Sequence, residues 1–205
     1  MSGQQDLTPF FGAATVGITF SNGVVIGAEK RILWGYTVVS KTGKKIFSVT
    51  DNIIIGSAGV SGDYQMLSSF LTAESNLFKL ENRRPITVNG AAQLLSNILF
   101  SRKYMPYLTQ TLIGGVDQEG SHLYSLDLAG SLIKEEYAAV GTATSLVLGV
   151  LEANYRKDLS KKEAIELAVK AIRSATRRDA MSGDGIDLLI VTPEGIEAKE
   201  FELNE

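Results

Sequence analysis

GAATVGITFSNGVVIGA, residues 12–28, reads as two strands folded back on each other. Val16, Ile18 and Phe20 alternate with Thr15, Gly17 and Thr19, the period of a strand with unlike faces. After Ser21-Asn22-Gly23 a second apolar run follows, Val24 to Ala28. Asn-Gly between two such runs predicts a hairpin whose type I′ turn takes positive φ at both central residues. An antiparallel hairpin of this kind has apolar surface to bury, and the rest of the chain supplies the material to do it.

Three more hairpins are legible further along. Ile46–Val49 and Ile53–Ala58 turn at Asp51-Asn52. Leu112–Val116 and His122–Leu126 turn at Gln118-Glu119-Gly120. Ile186–Val191 turns at Pro193-Glu194-Gly195 and ends near Phe201. Between them the period changes from two to between three and four. Met66, Phe70, Ala73, Leu77 and Leu80 mark one helix face, stopped by Arg83-Arg84-Pro85. Val88, Ala91, Leu95 and Ile98 mark a second helix, with Thr87 as its N-cap. A third helix spans Leu146 to Tyr155. A fourth opens on the capping box Ser160-Lys161-Lys162-Glu163 and runs to about Arg178. Hairpins, two helices, hairpins, two helices, hairpin is an α+β order. It predicts a four-layer α/β/β/α sandwich of two antiparallel sheets, each covered by a helix pair that buries these stripes. A two-layer α+β fold with one large sheet is the alternative.

The bulk composition narrows the classes of function. A chain of 205 residues, 44% apolar and 21% charged, is that of a single globular domain. A formal charge of −3 does not suit a nucleic-acid partner, which requires clustered Lys and Arg. No apolar run approaches the roughly 20 residues of a membrane span. The opening MSGQQDLTPFF lacks a secretory pattern, and cysteine is absent, so the expectation is a cytoplasmic protein without disulfides or thiolate sites. One histidine, His122, is too few for zinc and stands in a strand, where a half-buried structural role is the expectation. No P-loop motif occurs.

Three polar stretches remain: Ala28-Glu29-Lys30-Arg31 at a strand end, Gly43-Lys44-Lys45-Ile46-Phe47 at a strand entry, and Arg178-Asp179-Ala180-Met181-Ser182-Gly183-Asp184-Gly185-Ile186 between a helix and a strand. Singly, each reads as a solvated charge run, a strand gatekeeper or a helix stop. Together with Gly12 at the head of a strand and Ala58-Gly59, in this order and spacing, they resemble the β subunits of the archaeal proteasome core. Tyr104-Met105-Pro106-Tyr107, Leu112-Ile113-Gly114-Gly115, Tyr124-Ser125-Leu126-Asp127 and Gly149-Val150-Leu151-Glu152 add softer matches. The resemblance runs from Gly12 to about Thr192, and that family's fold is the same α/β/β/α sandwich.

The resemblance implies an N-terminal-nucleophile hydrolase. A propeptide is cut after a Gly to free an N-terminal Thr, whose hydroxyl attacks and whose amine serves as base. By position, residues 1–12 are the propeptide-like segment and 13–205 the single domain. Gly12 and Ala13 flank the processing site, and Ala13 occupies the nucleophile position. Glu29 and Lys45 match the acid and the lysine that favours hydroxyl deprotonation. Gly59 matches the oxyanion-hole N–H. Asp179 and Ser182 match the pair that orients the amine, and Thr142 stands where the family has Ser. Leu33, at a position of Thr or Ser in active members, and Ser57 and Ser61 fall near the substrate-lining region.

A methyl group cannot attack a carbonyl, so the implied chain is catalytically silent and keeps residues 1–12 unless a neighbour trims them. A natural silent subunit and a Thr→Ala form of an active one both fit. The implied partners are α subunits and other β subunits in stacked seven-membered rings, unfolded protein substrates and, indirectly, a regulatory ATPase, with no cofactor. A purely structural ring subunit is one further reading, and a stand-alone amidase of the same superfamily is another.

Overall fold

The computed structural model describes residues 12–203. The hairpin that opens the chain is formed by β1, Thr15–Phe20, and β2, Gly23–Glu29. Phe20 pairs with Gly23, so the turn is Ser21-Asn22. Neither Asn22 nor Gly23 takes positive φ, which corrects the type I′ expectation. Gly23 serves close approach instead: a Cβ there would lie 2.4 Å from the Val191 carbonyl oxygen.

The strands β3, Ile32–Trp34, and β4, Thr37–Ser40, follow as a separate two-stranded ribbon. Next come β5, Ile46–Ser48, β6, Ile53–Gly59, and the helices α1, Ser61–Asn82, and α2, Val88–Ser101. β7, Thr109–Asp117, β8, Gly120–Leu126, β9, Leu132–Glu135, and β10, Tyr137–Val140, lead to α3, Thr144–Asn154, and α4, Lys161–Thr176. The final hairpin is β11, Ile186–Thr192, with β12, Gly195–Phe201. β3, β4, β9 and β10, of three or four residues each, are too short to carry a legible strand period.

Two five-stranded antiparallel sheets result, ordered β10-β1-β2-β11-β12 and β5-β6-β7-β8-β9. Three apolar layers hold them together. Val16, Ile18 and Phe20 pack with Val147, Leu151, Leu167 and Ile172 of α3 and α4. Ile53, Ile55 and Ile113 pack with Leu67, Leu71, Leu95 and Leu99 of α1 and α2. Between the sheets lie Val24, Ile26, Ile54, Leu112 and Leu123. This is the α/β/β/α sandwich. The sheets approach closely at Gly17, where a Cβ would meet Leu123 Cδ1 at 2.7 Å.

Local chemistry sets the helix ends. Thr87 Oγ1 accepts from Gly90 N at 3.0 Å. Ser160 and Glu163 close a reciprocal capping box, with Ser160 N donating to Glu163 Oε2 at 2.8 Å. Arg83 ends α1 in the left-handed region at φ 55°. On α1 the expected stripe faces the wrong way: Met66 (61% exposed), Phe70, Leu77 and Leu80 (78%) point outward. The buried face is Tyr64, Leu67, Leu71 and Ser75. Helical period identifies a helix, but two apolar stripes on one helix cannot both face the same core. His122 is buried rather than half-buried, with Nε2 3.3 Å from Asp117 Oδ1. Among the described residues, no helix is long and apolar enough to cross a membrane.

Candidate active site

Ala13 sits just before β1, fully buried at the junction of the two sheets. Its carbonyl accepts from Ala143 N at 3.3 Å, and its N–H donates to Thr142 Oγ1 at 3.4 Å. Both contacts come from the segment that leads to α3 from β10, the strand that pairs with β1. The side chain here is a methyl, with no atom that can donate, accept or attack.

Glu29, in one sheet, and Lys45, just before β5 of the other, meet as a buried ion pair. Glu29 ends β2, and its N–H donates to Ala14 O at 3.3 Å, which ties it to the residue after Ala13. Its carboxylate also accepts from Arg31 N at 2.7 Å and Gly183 N at 3.0 Å. Burial pushes the Glu29 carboxyl above its ordinary range against the pull of Lys45, and burial pushes the Lys45 ammonium below its own.

Asp179 gathers the third set of contacts. Thr142 Oγ1 donates to Asp179 Oδ2 at 2.7 Å, and Ser182 Oγ donates to the same oxygen at 2.5 Å. Met181 N donates to Oδ1 at 3.1 Å. Because the Thr142 proton goes to Asp179, its oxygen is left to accept from the Ala13 nitrogen. The chain Ala13 N to Thr142 to Asp179 to Ser182 can therefore orient whatever group that nitrogen belongs to. In the uncut chain it is a peptide N–H.

A cavity of about 550 Å³ opens beside these groups. Gly12, Leu33, Lys45, Gly59 and Ser61 contribute to its wall, together with Trp34 and Val39 of the β3–β4 ribbon. Gly59 has φ 135°, and a Cβ there would lie 2.1 Å from the Leu108 carbonyl oxygen, so only glycine fits. Ser57 is buried, and its hydroxyl meets Thr111 Oγ1 at 3.2 Å. The structure thus brings Gly12, Ala13, Glu29, Lys45, Gly59, Thr142, Asp179 and Ser182 to one end of the sandwich. Gly12 is the last residue of the propeptide-like segment, and residues 1–11 lie outside the described residues.

Sequence reading missed how that end is held. Arg31 Nε donates to Asp184 Oδ2 at 2.8 Å and Nη1 to Ala180 O at 2.9 Å. A Cβ on Gly183 would fall 2.4 Å from Arg31 Nη2, so the guanidinium lies against that glycine. Asp184 takes φ 68°, uncommon for a non-glycine residue, and the Arg31 hydrogen bond holds its carboxyl below the usual range. The signal was present as the Arg in one motif and the Asp in another, 153 positions apart.

The proteasome subunit family model matches residues 10–191. The proteasome subunit beta 2 of Pyrobaculum arsenaticum is 44% identical over 192 residues, 94% of this chain and 95% of that protein. The proteasome subunit beta 2 of Thermofilum pendens is 44% identical over 191 residues, 93% and 94% of the two chains. The proteasome subunit beta 1 of Nitrosopumilus maritimus is 44% identical over 186 residues, 91% and 93%.

Proposed function

The chain belongs to the proteasome subunit family, with strong homology to archaeal β subunits, and from that premise we propose that it is a non-catalytic β subunit of a threonine-type endopeptidase chamber. The observation that carries the reading is the contrast at the head of β1. The supporting shell is in place: Glu29 pairs with Lys45, and Thr142 and Ser182 both donate to Asp179, while Ala13, whose N–H donates to Thr142, carries only a methyl group. Acyl transfer by this route starts from a hydroxyl, and so does self-cleavage of the Gly12–Ala13 bond. The chain accordingly neither hydrolyses peptides nor processes itself. It works in the cytoplasm, beside a catalytic β chain and α subunits, as a wall of the chamber in which unfolded substrates, fed by a regulatory ATPase, are degraded.

The outward stripe Met66, Phe70, Leu77 and Leu80 on α1 supports assembly, because stable subunit interfaces bury apolar faces of this kind. The intactness of the shell favours a second reading of how the silence arose: a single Thr→Ala exchange in an otherwise competent subunit. Ala13→Thr separates the two. Assembled with α subunits and no other β chain, the chain with Ala13 should show no turnover of a fluorogenic peptide and an intact mass that retains residues 1–12. If Ala13→Thr gains both turnover and a species starting at position 13, the single exchange was the whole cause. If it gains neither, Leu33 or Thr142 marks older divergence. Turnover by the chain with Ala13 would overturn the proposal of silence.

A further inference from the structure

Gly12 is wedged between Leu33 and Met181: a Cβ there would lie 3.2 Å from Leu33 Cδ1 and 3.2 Å from Met181 Cβ. Gly12 and Leu33 both belong to the wall of the cavity of about 550 Å³, so the chain that precedes Gly12 meets the fold at that cavity. Ile32, Trp34, Val39 and Val60 make the wall apolar, and its two cations, Arg31 and Lys45, are already paired with Asp184 and Glu29. Trp34 is 78% exposed and Val39 59%, an apolar face that nothing among the described residues covers. The stretch just before Gly12 reads Leu7-Thr8-Pro9-Phe10-Phe11, with no charge and two aromatic rings.

We infer that the occupant of this cavity is the chain's own segment 7–11, which folds back over the β3–β4 ribbon so that its two phenylalanine rings cover Trp34 and Val39. Phe11 adjoins Gly12, and Phe10 lies within about 7 Å of it along an extended chain, so both rings stay within reach of the wall. Pro9 disfavours helical backbone at Thr8 and keeps the segment extended. The apolar segment matches the apolar wall, and no charge in it opposes burial. Aromatic rings bury large apolar areas and pack well against an indole. Because Gly12 joins the segment to the wall, docking costs no translational freedom, and so short a tether holds the rings at high local concentration. The subunit then presents no open groove here: the place where an apolar side chain of a substrate would enter is held by the chain's own N-terminal segment. The inference rests on the reading of the chain as uncut at Gly12–Ala13, and it gives the uncut segment a place and a task.

Trp34 is the single tryptophan of the chain, so its fluorescence reports on the wall directly. The test uses the purified full chain, whose intact mass is measured first. Phe10→Ser with Phe11→Ser should move the Trp34 emission to longer wavelength. The same pair should raise its acrylamide quenching constant at least about twofold, the change expected where a segment docked most of the time shields half of the indole. Val39→Glu, at an exposed position of the wall, should raise quenching by the same route. Adding the two serines to Val39→Glu should then change little, because the contact is already lost. A full-length mass with equal quenching before and after the serine exchanges would overturn the docking alone and leave the wall open to a substrate or a neighbouring subunit. Effects of Val39→Glu and the serines that simply add would do the same. A mass starting at Ala13 would overturn the uncut reading itself, and this proposal with it.

Discussion

Glu29 and Lys45 show how much one residue's worth depends on its partner. Both are almost wholly buried, and each satisfies the other across the gap between the sheets. Removing one charge leaves the other stranded in a medium of low polarity. Lys45→Met and Glu29→Gln should each cost about 3–5 kcal/mol of stability. The double variant should cost less than their sum, by a coupling of about 0.5–3 kcal/mol, because it leaves no lone charge. Urea denaturation of the four proteins measures this, and strict additivity would mean that the pair does not act as a unit. Both motifs that carry these residues, EKR and KKI-F, were legible in the sequence. The contact between them was implied only by the family resemblance, in which the carboxylate holds the lysine; local period and spacing do not show it, because Glu29 ends β2 and Lys45 directly precedes β5 of the other sheet.

At the scale of the element, α4 is the helix whose start the sequence specified completely. Ser160 and Glu163 form the capping box that their spacing predicted, and Arg156 adds an ion pair to the same carboxylate. These hydrogen bonds, first from Ser160 and then from Arg156, lower the Glu163 pKa from 4.5 to about 2. A carboxyl depressed on folding adds stability above its unfolded pKa and loses it as pH falls toward the folded one. The helix should therefore lose this contribution between pH 4.5 and about 2, and Glu163→Gln should flatten that part of the stability profile. Ser160→Ala should cost about 1 kcal/mol near neutral pH. Circular dichroism of thermal unfolding across this pH range would show both. An unchanged acid limb in Glu163→Gln would place the titration elsewhere. Capping reads well from sequence because all its partners lie within three residues. The outward stripe of α1 reads badly, because period alone does not say which side the core is on.

For the whole molecule, the exposed α1 stripe is the feature that a lone domain does not explain. Phe70→Glu with Leu77→Glu should leave the isolated chain within about 0.5 kcal/mol of its original stability, since both sites are surface positions. The same variant should fail to enter assemblies with α subunits, which native mass spectrometry reads directly. Assembly at the original level would remove α1 from the proposed interface.

The sequence by itself determined the local chemistry: strand and helix periods, caps, the hairpin order, and the absence of a hydroxyl at position 13. These depend on neighbours within a few residues, and local propensities and hydrogen bonds carry them. Only the tertiary structure decided that Arg31 clamps Asp184, that the Glu29–Lys45 pair is buried, that Gly59 faces the Leu108 carbonyl, and that Met66 and Leu80 face outward. The short strands β3, β4, β9 and β10 belong with these. Each is set by contacts between segments far apart in the chain, and such contacts exist only once the two sheets have closed on each other.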